Sequence, residues 1–246
     1  MGIDAILDIL SVLARALPVT LALAAATLPL AFLCGAVATW ARRAGPRPLR
    51  AVADAYVLAF RSTPLLVQIF VLYYGLSQFA WLRASPAWIV LRDPFACAVI
   101  AMALCGGAYT AEVMRGGLAA VPAGVVEAAR ALGLSRAKTF FLVVLPIAAR
   151  RAIPAYGNEV IVTLKGTSLA CTITVMELTG AAKDLMSQTF AVIEVFCVVA
   201  LIYLSLSSLL VLLFRVIEHL AAPPHERRRP VLPRLRGRPV SAQANR

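Results

Sequence analysis

The sequence predicts an all-α integral membrane protein with about five transmembrane helices, and three observations carry that prediction. Of its 246 residues, 61% are hydrophobic and only 15% are charged, and the mean hydropathy is +0.84. A soluble domain is roughly 45 to 50% apolar, so this composition indicates a lipid environment. Several charge-free stretches approach the length of about 20 residues that a spanning helix needs. Finally, Lys and Arg are distributed unequally among the connections, as membrane topology requires.

The charge-free stretches place the spans in chain order. They cover residues 17–41, 62–82, 94–111 and 195–214. A fifth apolar region is interrupted by Glu159 and Lys165, and we interpret it as a span with function inside it. The prediction is a transmembrane domain over 17–215, with spans at about 17–41, 56–82, 94–112, 152–175 and 192–215 and a long connection at about 113–150.

Both ends of the chain are predicted to lie outside the transmembrane domain. Residues 1–16 place Ile3, Ile6, Leu7, Leu10 and Leu13 at helical spacing, which suits a short interfacial helix on the membrane surface. Residues 216–246 are rich in Pro and Arg, which predicts a disordered cytoplasmic tail near anionic headgroups.

The orientation follows from the basic residues. With five spans, one set of connections holds eighteen Lys and Arg residues and the other set holds four. The positive-inside rule assigns the rich set to the cytoplasm, which predicts an outside N-terminus and a cytoplasmic C-terminus. The net charge of +12 is therefore explained mostly by the basic residues that set the membrane topology. Because the arginines are dispersed over three cytoplasmic segments, we do not expect a nucleic-acid partner.

Residue patterns typical of soluble enzymes are missing. The five cysteines lie within apolar segments without a C-x-x-C pair, and the two histidines lie at the membrane edge and in the tail. We therefore predict neither catalytic residues nor a metal site. The chain has no G-x-x-x-x-G-K-[ST] motif, so it is not expected to bind ATP or another cofactor itself.

The stretch EAARALGLS, residues 127–135, predicts a short helix in the long cytoplasmic connection. Pro122 suits a helix start, the alanines favour helix, and Gly133 suits a helix stop. Small side chains allow another backbone to approach closely, so the helix is either a docking surface or an inert connector. The residues of this stretch alone leave both interpretations open.

Four segments together resemble the ABC importer permeases of the polar amino acid and opine branch. EAARALGLSRAKTFFLVVLP matches the EAA signature of that family at Glu127, Ala128, Ala129, Gly133, Leu145 and Pro146, with Val143 where Ile is usual. The other segments are FRSTPLLVQIFVLYYGL (60–76), GGAYTAEVMRGGLAAVPAGVVEAA (106–129) and IPAYGNEVIVTLKGTSL (153–169). The resemblance runs from about Thr20 to Phe214. The chain departs from the usual pattern at Ser62, Val125 and Gly166.

This resemblance implies the permease fold of type I ABC importers and a transport mechanism. Two permease chains, identical or paralogous, would form the pathway in the cytoplasmic (inner) membrane of a bacterium. A cytoplasmic ATPase dimer would use ATP-Mg, and a periplasmic or surface-tethered solute-binding protein would deliver the substrate. The coupling residues are then those of the EAA helix, Glu127, Ala128, Ala129 and Gly133.

Polar residues inside the spans are the candidates for the substrate pathway. Ionisable groups in the membrane are costly and usually face a pathway or a partner. The candidates are Gln68, Asn158, Glu159, Thr163, Lys165 and Thr167. Glu159 and Lys165 offer the opposite charges that a zwitterionic amino acid needs, although both could instead pair with neighbouring helices. Glu112 and Arg115 have the spacing of a local ion pair.

The predicted function is therefore a permease subunit of an ATP-driven importer for a polar amino acid or an opine-like derivative. A passive channel or a secondary transporter for small polar solutes is the alternative. The sequence shows neither a selectivity-filter motif nor the inverted repeat of many secondary transporters. A membrane-embedded enzyme would need a nucleophile or metal cluster, which the sequence also lacks.

Overall fold

The computed structural model describes residues 3–222, with side chains from residue 8, and its fold is all-helical. The predicted tail beyond residue 222 lies outside the described residues. The helices are α1 (Ile3–Ala44), α2 (Arg47–Ser62), α3 (Leu65–Phe70), α4 (Ala80–Arg83), α5 (Trp88–Leu91), α6 (Pro94–Ala119), α7 (Ala123–Ala131), α8 (Arg136–Thr139), α9 (Leu145–Gly166), α10 (Leu178–Thr189) and α11 (Val192–Ala221). Two π-helical segments extend α3 and α8, over Val71–Gly75 and Phe140–Val144, and 3₁₀ turns cover Leu76–Gln78 and Thr167–Ile173.

About five spans were predicted, and the described residues agree. Four helical stretches there are long and apolar enough to cross a membrane: Asp8–Ala44, Pro94–Ala119, Arg136–Ile173 and Val192–Ala221. The pair Arg47–Ser62 and Leu65–Gln78 passes the same test together and is bent by 108° at its break. The second span is therefore not straight.

The N-terminal segment requires a correction. Over residues 3–16 the structure shows no separate interfacial helix, because α1 runs without a break from Ile3 to Ala44. Ile9 and Leu13 are 4% and 0% exposed and pack against α10 and α11, in a cluster with Leu178 and Val195. The apolar residues do recur at helical spacing, but Ile9 and Leu13 pack against other helices and not on the membrane surface.

The pair α1 and α6 forms the centre of the fold through small residues. A Cβ added at Gly35 would lie 2.8 Å from Thr110 Cβ, and one at Gly107 would lie 2.6 Å from Cys34 Cβ. Small residues let two helix backbones approach closely, which is how helices associate where no hydrophobic force acts between them. The outer surfaces remain apolar, as Leu201, Leu204 and Leu209 on α11 show with 61 to 64% exposure.

The long connection is shorter than predicted at both ends. α6 continues to Ala119, beyond the predicted span end at 112, and α9 already begins at Leu145. Pro146 lacks an N–H and its ring disturbs the preceding turn, where the chain widens into the π-helical segment Phe140–Val144. The EAA region is therefore held between two long helices.

Glu177 and the adjacent Leu178 connect α10 to two other helices in the interior. The Glu177 side chain is 0% exposed, its Oε1 accepts a hydrogen bond from Gly180 N at 2.8 Å, and its Oε2 accepts one from Tyr203 Oη at 3.0 Å. The adjacent Leu178 N donates to Thr20 Oγ1 on α1 at 3.0 Å. Glu177 thus caps α10 and ties it to α11.

We expect Glu177→Ala to destabilise the assembled complex by roughly 2 to 5 kcal/mol, because two buried donors lose their acceptor and a cavity opens. Glu177→Gln keeps an oxygen acceptor and should be milder. Burial raises the pKa of the Glu177 carboxyl, so its contribution to stability is larger at acidic pH and declines as pH rises through the raised pKa. Thermal melting of both variants at several pH values checks this; equal melting temperatures of the two variants would contradict it.

Candidate functional site

The EAA helix is α7, and Gly133 terminates it. Gly133 N donates to Arg130 O at 2.9 Å and Leu134 N donates to Ala129 O at 3.2 Å, which is the Schellman pattern. Gly133 has a φ of +81°, in the left-handed region that favours glycine. The predicted helix over this stretch and its glycine stop are confirmed.

Most of α7 is open to solvent. Glu127, Ala128 and Gly133 are exposed, whereas Ala129 is 6% exposed and faces the protein. Leu132, at the end of the helix, is 83% exposed. Among the residues that the structure describes, α7 contacts mainly α8 and the π-helical segment after it. One side of α7 therefore packs against the rest of the chain, and the other side is exposed and available to a partner.

The break in the second span is held open by a proline and a glutamine. Thr63 is extended because it precedes Pro64. Gln68 Nε2 donates to Phe60 O at 2.9 Å and to Thr63 O at 3.1 Å, satisfying carbonyls at the end of α2. Gln68, on α3, therefore connects the two sides of the break by hydrogen bonds to the end of α2.

A cavity of about 590 Å³ lies at this break. It is bounded by the end of α2, the start of α3, the middle of α6 and one face of α9. Its lining residues are Arg61, Ser62, Thr63, Pro64, Leu65, Met102, Cys105, Gly106, Tyr109, Asn158, Glu159, Val162 and Thr163. The volume lies within the range of about 300 to 1,000 Å³ that is usual for small-molecule sites.

Three predicted pathway residues line this cavity together. Asn158, Glu159 and Thr163 share one face of α9 with Val162, at the i, i+4 spacing of a helix. The opposite face is used for packing, since a Cβ at Gly157 would lie 2.7 Å from the Phe214 ring on α11. Glu159 forms no salt bridge with any described residue.

The other three predicted pathway residues lie elsewhere. Gln68 bridges the helix break, and Thr167 is fully buried and donates to Leu164 O at 2.7 Å. Lys165 is exposed and is not among the residues that line the cavity. In this cavity Glu159 is therefore not accompanied by Lys165. The second charge in the cavity comes from α2.

Arg61 is the site residue that sequence reasoning missed. It lines the cavity and is close enough to act electrostatically on Glu159. Its guanidinium carbon lies 5.4 Å from the centre of the Tyr109 ring, within the range of a cation–π contact. The available signal was a cation inside an apolar segment immediately before a proline break, since broken membrane helices commonly form binding sites.

Glu112 on α6 lies within salt-bridge distance of three arginines, one of which, Arg61, also lines the cavity. Arg42 Nη1 lies 2.6 Å from Glu112 Oε1, and Arg115 Nη2 lies 2.5 Å from Oε2, which confirms the predicted local pair. Arg42 Nε also lies 2.6 Å from Asp54 Oδ1, while Arg61 Nη1 is 3.8 Å from Glu112 Oε2. We refer to Arg42, Asp54, Arg61, Glu112 and Arg115 as the Glu112 cluster. It connects α1, α2 and α6.

Comparison with known proteins assigns the family. The family described as "Binding-protein-dependent transport system inner membrane component" matches residues 28–221. The octopine transport system permease protein OccM of Rhizobium radiobacter is 53% identical over 163 residues, which is 66% of each chain. The nopaline transport system permease protein NocM of Agrobacterium fabrum (strain C58) is 44% identical over 205 residues, covering 83% of this chain and 85% of the relative. The arginine ABC transporter permease protein ArtM of Haemophilus influenzae is 36% identical over 211 residues, covering 86% and 92%.

Solved structures agree with this assignment. A crystal structure of an amino acid ABC transporter with histidines has a TM-score of 0.81 at 30% identity, covering 89% of this chain and 99% of that chain. An inward-facing MetNI methionine ABC transporter has a TM-score of 0.72 at 18% identity and supports the fold alone.

The permease fold and the EAA helix thus agree with the family match. Permeases of this kind are multi-pass proteins of the inner membrane, work with a binding protein and leave ATP hydrolysis to a separate ATPase subunit. The chain belongs to the binding-protein-dependent ABC transporter permeases, in the branch that imports polar amino acids and opines.

Proposed function

We propose that this permease conducts amino acids that carry a guanidinium group, such as arginine and the arginine-derived opines, and that Glu159 accepts this group in the cavity. The observation that carries the proposal is an intramembrane carboxylate in a 590 Å³ cavity without a salt bridge to any described residue. An unpaired intramembrane acid is a functional residue by default, because its burial is otherwise costly.

The relatives support the chemistry of this substrate class. Three of them are described as transporting octopine, nopaline and arginine, all of which contain a guanidinium group. A planar guanidinium donates two parallel hydrogen bonds to a carboxylate, which is a strong and directional contact. Asn158 and Thr163, beside Glu159 on α9, add polar groups to the same wall.

The assembly follows the family pattern. Two permease chains, identical or paralogous, enclose the pathway, and the exposed face of α7 with Glu127, Ala128 and Gly133 docks on the ATPase dimer. The partner ATPase binds ATP-Mg, and a solute-binding protein delivers the substrate from outside. The excess of basic residues in one set of connections supports an outside N-terminus and a cytoplasmic C-terminus.

We expect Glu159→Gln to lower arginine uptake by about 10- to 100-fold, the loss of one hydrogen-bonded charge pair. Uptake of citrulline, which has a neutral group in place of the guanidinium, should change little. The measurement is ATP-dependent uptake of radiolabelled arginine and citrulline by proteoliposomes containing the permease, its ATPase and its binding protein.

The matched control is Glu194→Gln, which makes the same chemical change at an exposed residue of α11 outside the cavity. This control should transport both amino acids normally. An unchanged ratio of arginine to citrulline uptake in Glu159→Gln, with normal complex yield, contradicts the proposed role of Glu159. A reduced complex yield with an unchanged ratio indicates that Glu159 pairs structurally, and it contradicts the proposal as well.

A further inference from the structure

Arg61 is a cation with spare hydrogen-bonding capacity. Its side chain is 43% exposed, and the nearest acid, Glu112 Oε2, is 3.8 Å away, beyond hydrogen-bond distance. Glu112 is already occupied, because Arg42 and Arg115 approach it at 2.5 to 2.8 Å. Glu112 is therefore near enough to attract Arg61, while the N–H groups of Arg61 remain available.

Tyr109 fixes the position of this guanidinium. The centre of the Tyr109 ring lies 5.4 Å from the guanidinium carbon of Arg61. This cation–π contact connects the side chain of Arg61, on α2, to α6. A contact with the face of an aromatic ring leaves the N–H groups at the edge of the guanidinium free. These groups match the two oxygens of a carboxylate.

Arg61 and Glu159 are the two charged side chains among the described lining residues of the cavity. They come from different elements, Arg61 from the end of α2 and Glu159 from the middle of α9. The cavity wall therefore carries one basic and one acidic side chain. A solute with a carboxylate at one end and a guanidinium at the other is complementary to this arrangement.

We infer that Arg61 binds the α-carboxylate of the transported amino acid and determines specificity for carboxylate-bearing solutes. Glu112 and Tyr109 act as positioning residues for Arg61. This inference rests on the proposed function and deepens it, because it assigns the second end of the substrate and its orientation. It also connects the cavity to the Glu112 cluster, since Arg61 belongs to both.

The test compares arginine with agmatine, which has the same guanidinium group but no carboxylate. We expect the purified permease–ATPase complex to bind arginine more tightly than agmatine. Arg61→Gln should weaken arginine binding by about 10- to 100-fold and leave agmatine binding within a few-fold. Arg61→Lys retains the charge without the planar fork, so arginine binding should be restored in part. The measurement is equilibrium binding without the binding protein, whose own specificity would otherwise contribute.

Arg50→Gln is the matched control. It makes the same chemical change at an exposed arginine of α2 that belongs neither to the Glu112 cluster nor to the lining of the 590 Å³ cavity. An equal loss of arginine and agmatine binding in Arg61→Gln overturns the inference, and so does the same loss of arginine preference in Arg50→Gln. If Glu159→Gln abolishes the arginine-to-citrulline preference while Arg61→Gln leaves the arginine-to-agmatine ratio unchanged, the assignment of Arg61 is wrong and the proposed function stands. If Glu159→Gln leaves its own ratio unchanged, the proposed function itself fails.

Discussion

Gly117→Ala is expected to lower the melting temperature of the assembled complex by roughly 2 to 12 °C, because overpacking by one methyl group costs about 1 to 3 kcal/mol. A Cβ at Gly117 would lie 2.6 Å from Ala148 O and 3.0 Å from Ala152 Cβ. The first of these atoms is backbone, so α6 and α9 would have to move apart. Such a displacement also shifts the wall of the cavity, and uptake should fall further than stability alone explains.

Gly116→Ala provides a control on the neighbouring residue of the same helix. A Cβ at Gly116 meets nothing within 4 Å, and both substitutions raise helix propensity equally. We therefore expect Gly116→Ala to keep or slightly raise the melting temperature. Differential scanning fluorimetry of the two purified complexes measures the difference. Equal melting temperatures would show that α6 and α9 are not in the close contact described.

Gly133→Trp is expected to abolish coupling while the protein still inserts in the membrane. A Cβ at Gly133 meets no described atom within 4 Å, so the position has open space for a side chain. The substitution strains the left-handed backbone at φ +81° and adds bulk where the ATPase is proposed to dock. Next to the exposed Leu132, an indole ring would obstruct the close approach of the ATPase that the proposed coupling requires.

One control separates the backbone effect from the steric effect. Gly133→Asn tolerates the left-handed conformation and adds little bulk, so ATPase association should be largely retained. Copurification of the ATPase and ATP hydrolysis stimulated by the loaded binding protein are the measurements. Normal stimulated hydrolysis in the Gly133→Trp complex would contradict the coupling role of α7.

The sequence predicts the architecture well wherever one physical signal dominates. Long charge-free stretches correspond to α1, α6 and α11 because lipid selects apolar residues along a whole helix. The EAA helix was predicted from Pro122 and Gly133, and both lie at its ends in the structure. Local chemistry suffices in these cases, since helix starts and stops depend on the residues at the ends.

The candidate site depends on tertiary geometry and was predicted only in part. Asn158, Glu159 and Thr163 share a helix face, which periodicity can reveal. Arg61 joins them because the end of α2, at the 108° break in the second span, borders the same cavity as α9, and no periodicity encodes that arrangement. Lys165 lies seven residues after Asn158, on nearly the same side of α9, but it is close to the end of the helix and does not line the cavity.

Direct binding to the permease–ATPase complex, measured without the binding protein, tests the central claim that the cavity recognises the guanidinium group through Glu159. The measurement is the ratio of the dissociation constants of arginine and citrulline for the unmodified complex and for Glu159→Gln. We expect a preference for arginine of about 10-fold or more in the unmodified complex, and nearly none in the variant. A preference that survives Glu159→Gln unchanged in a fully assembled complex would contradict the claim.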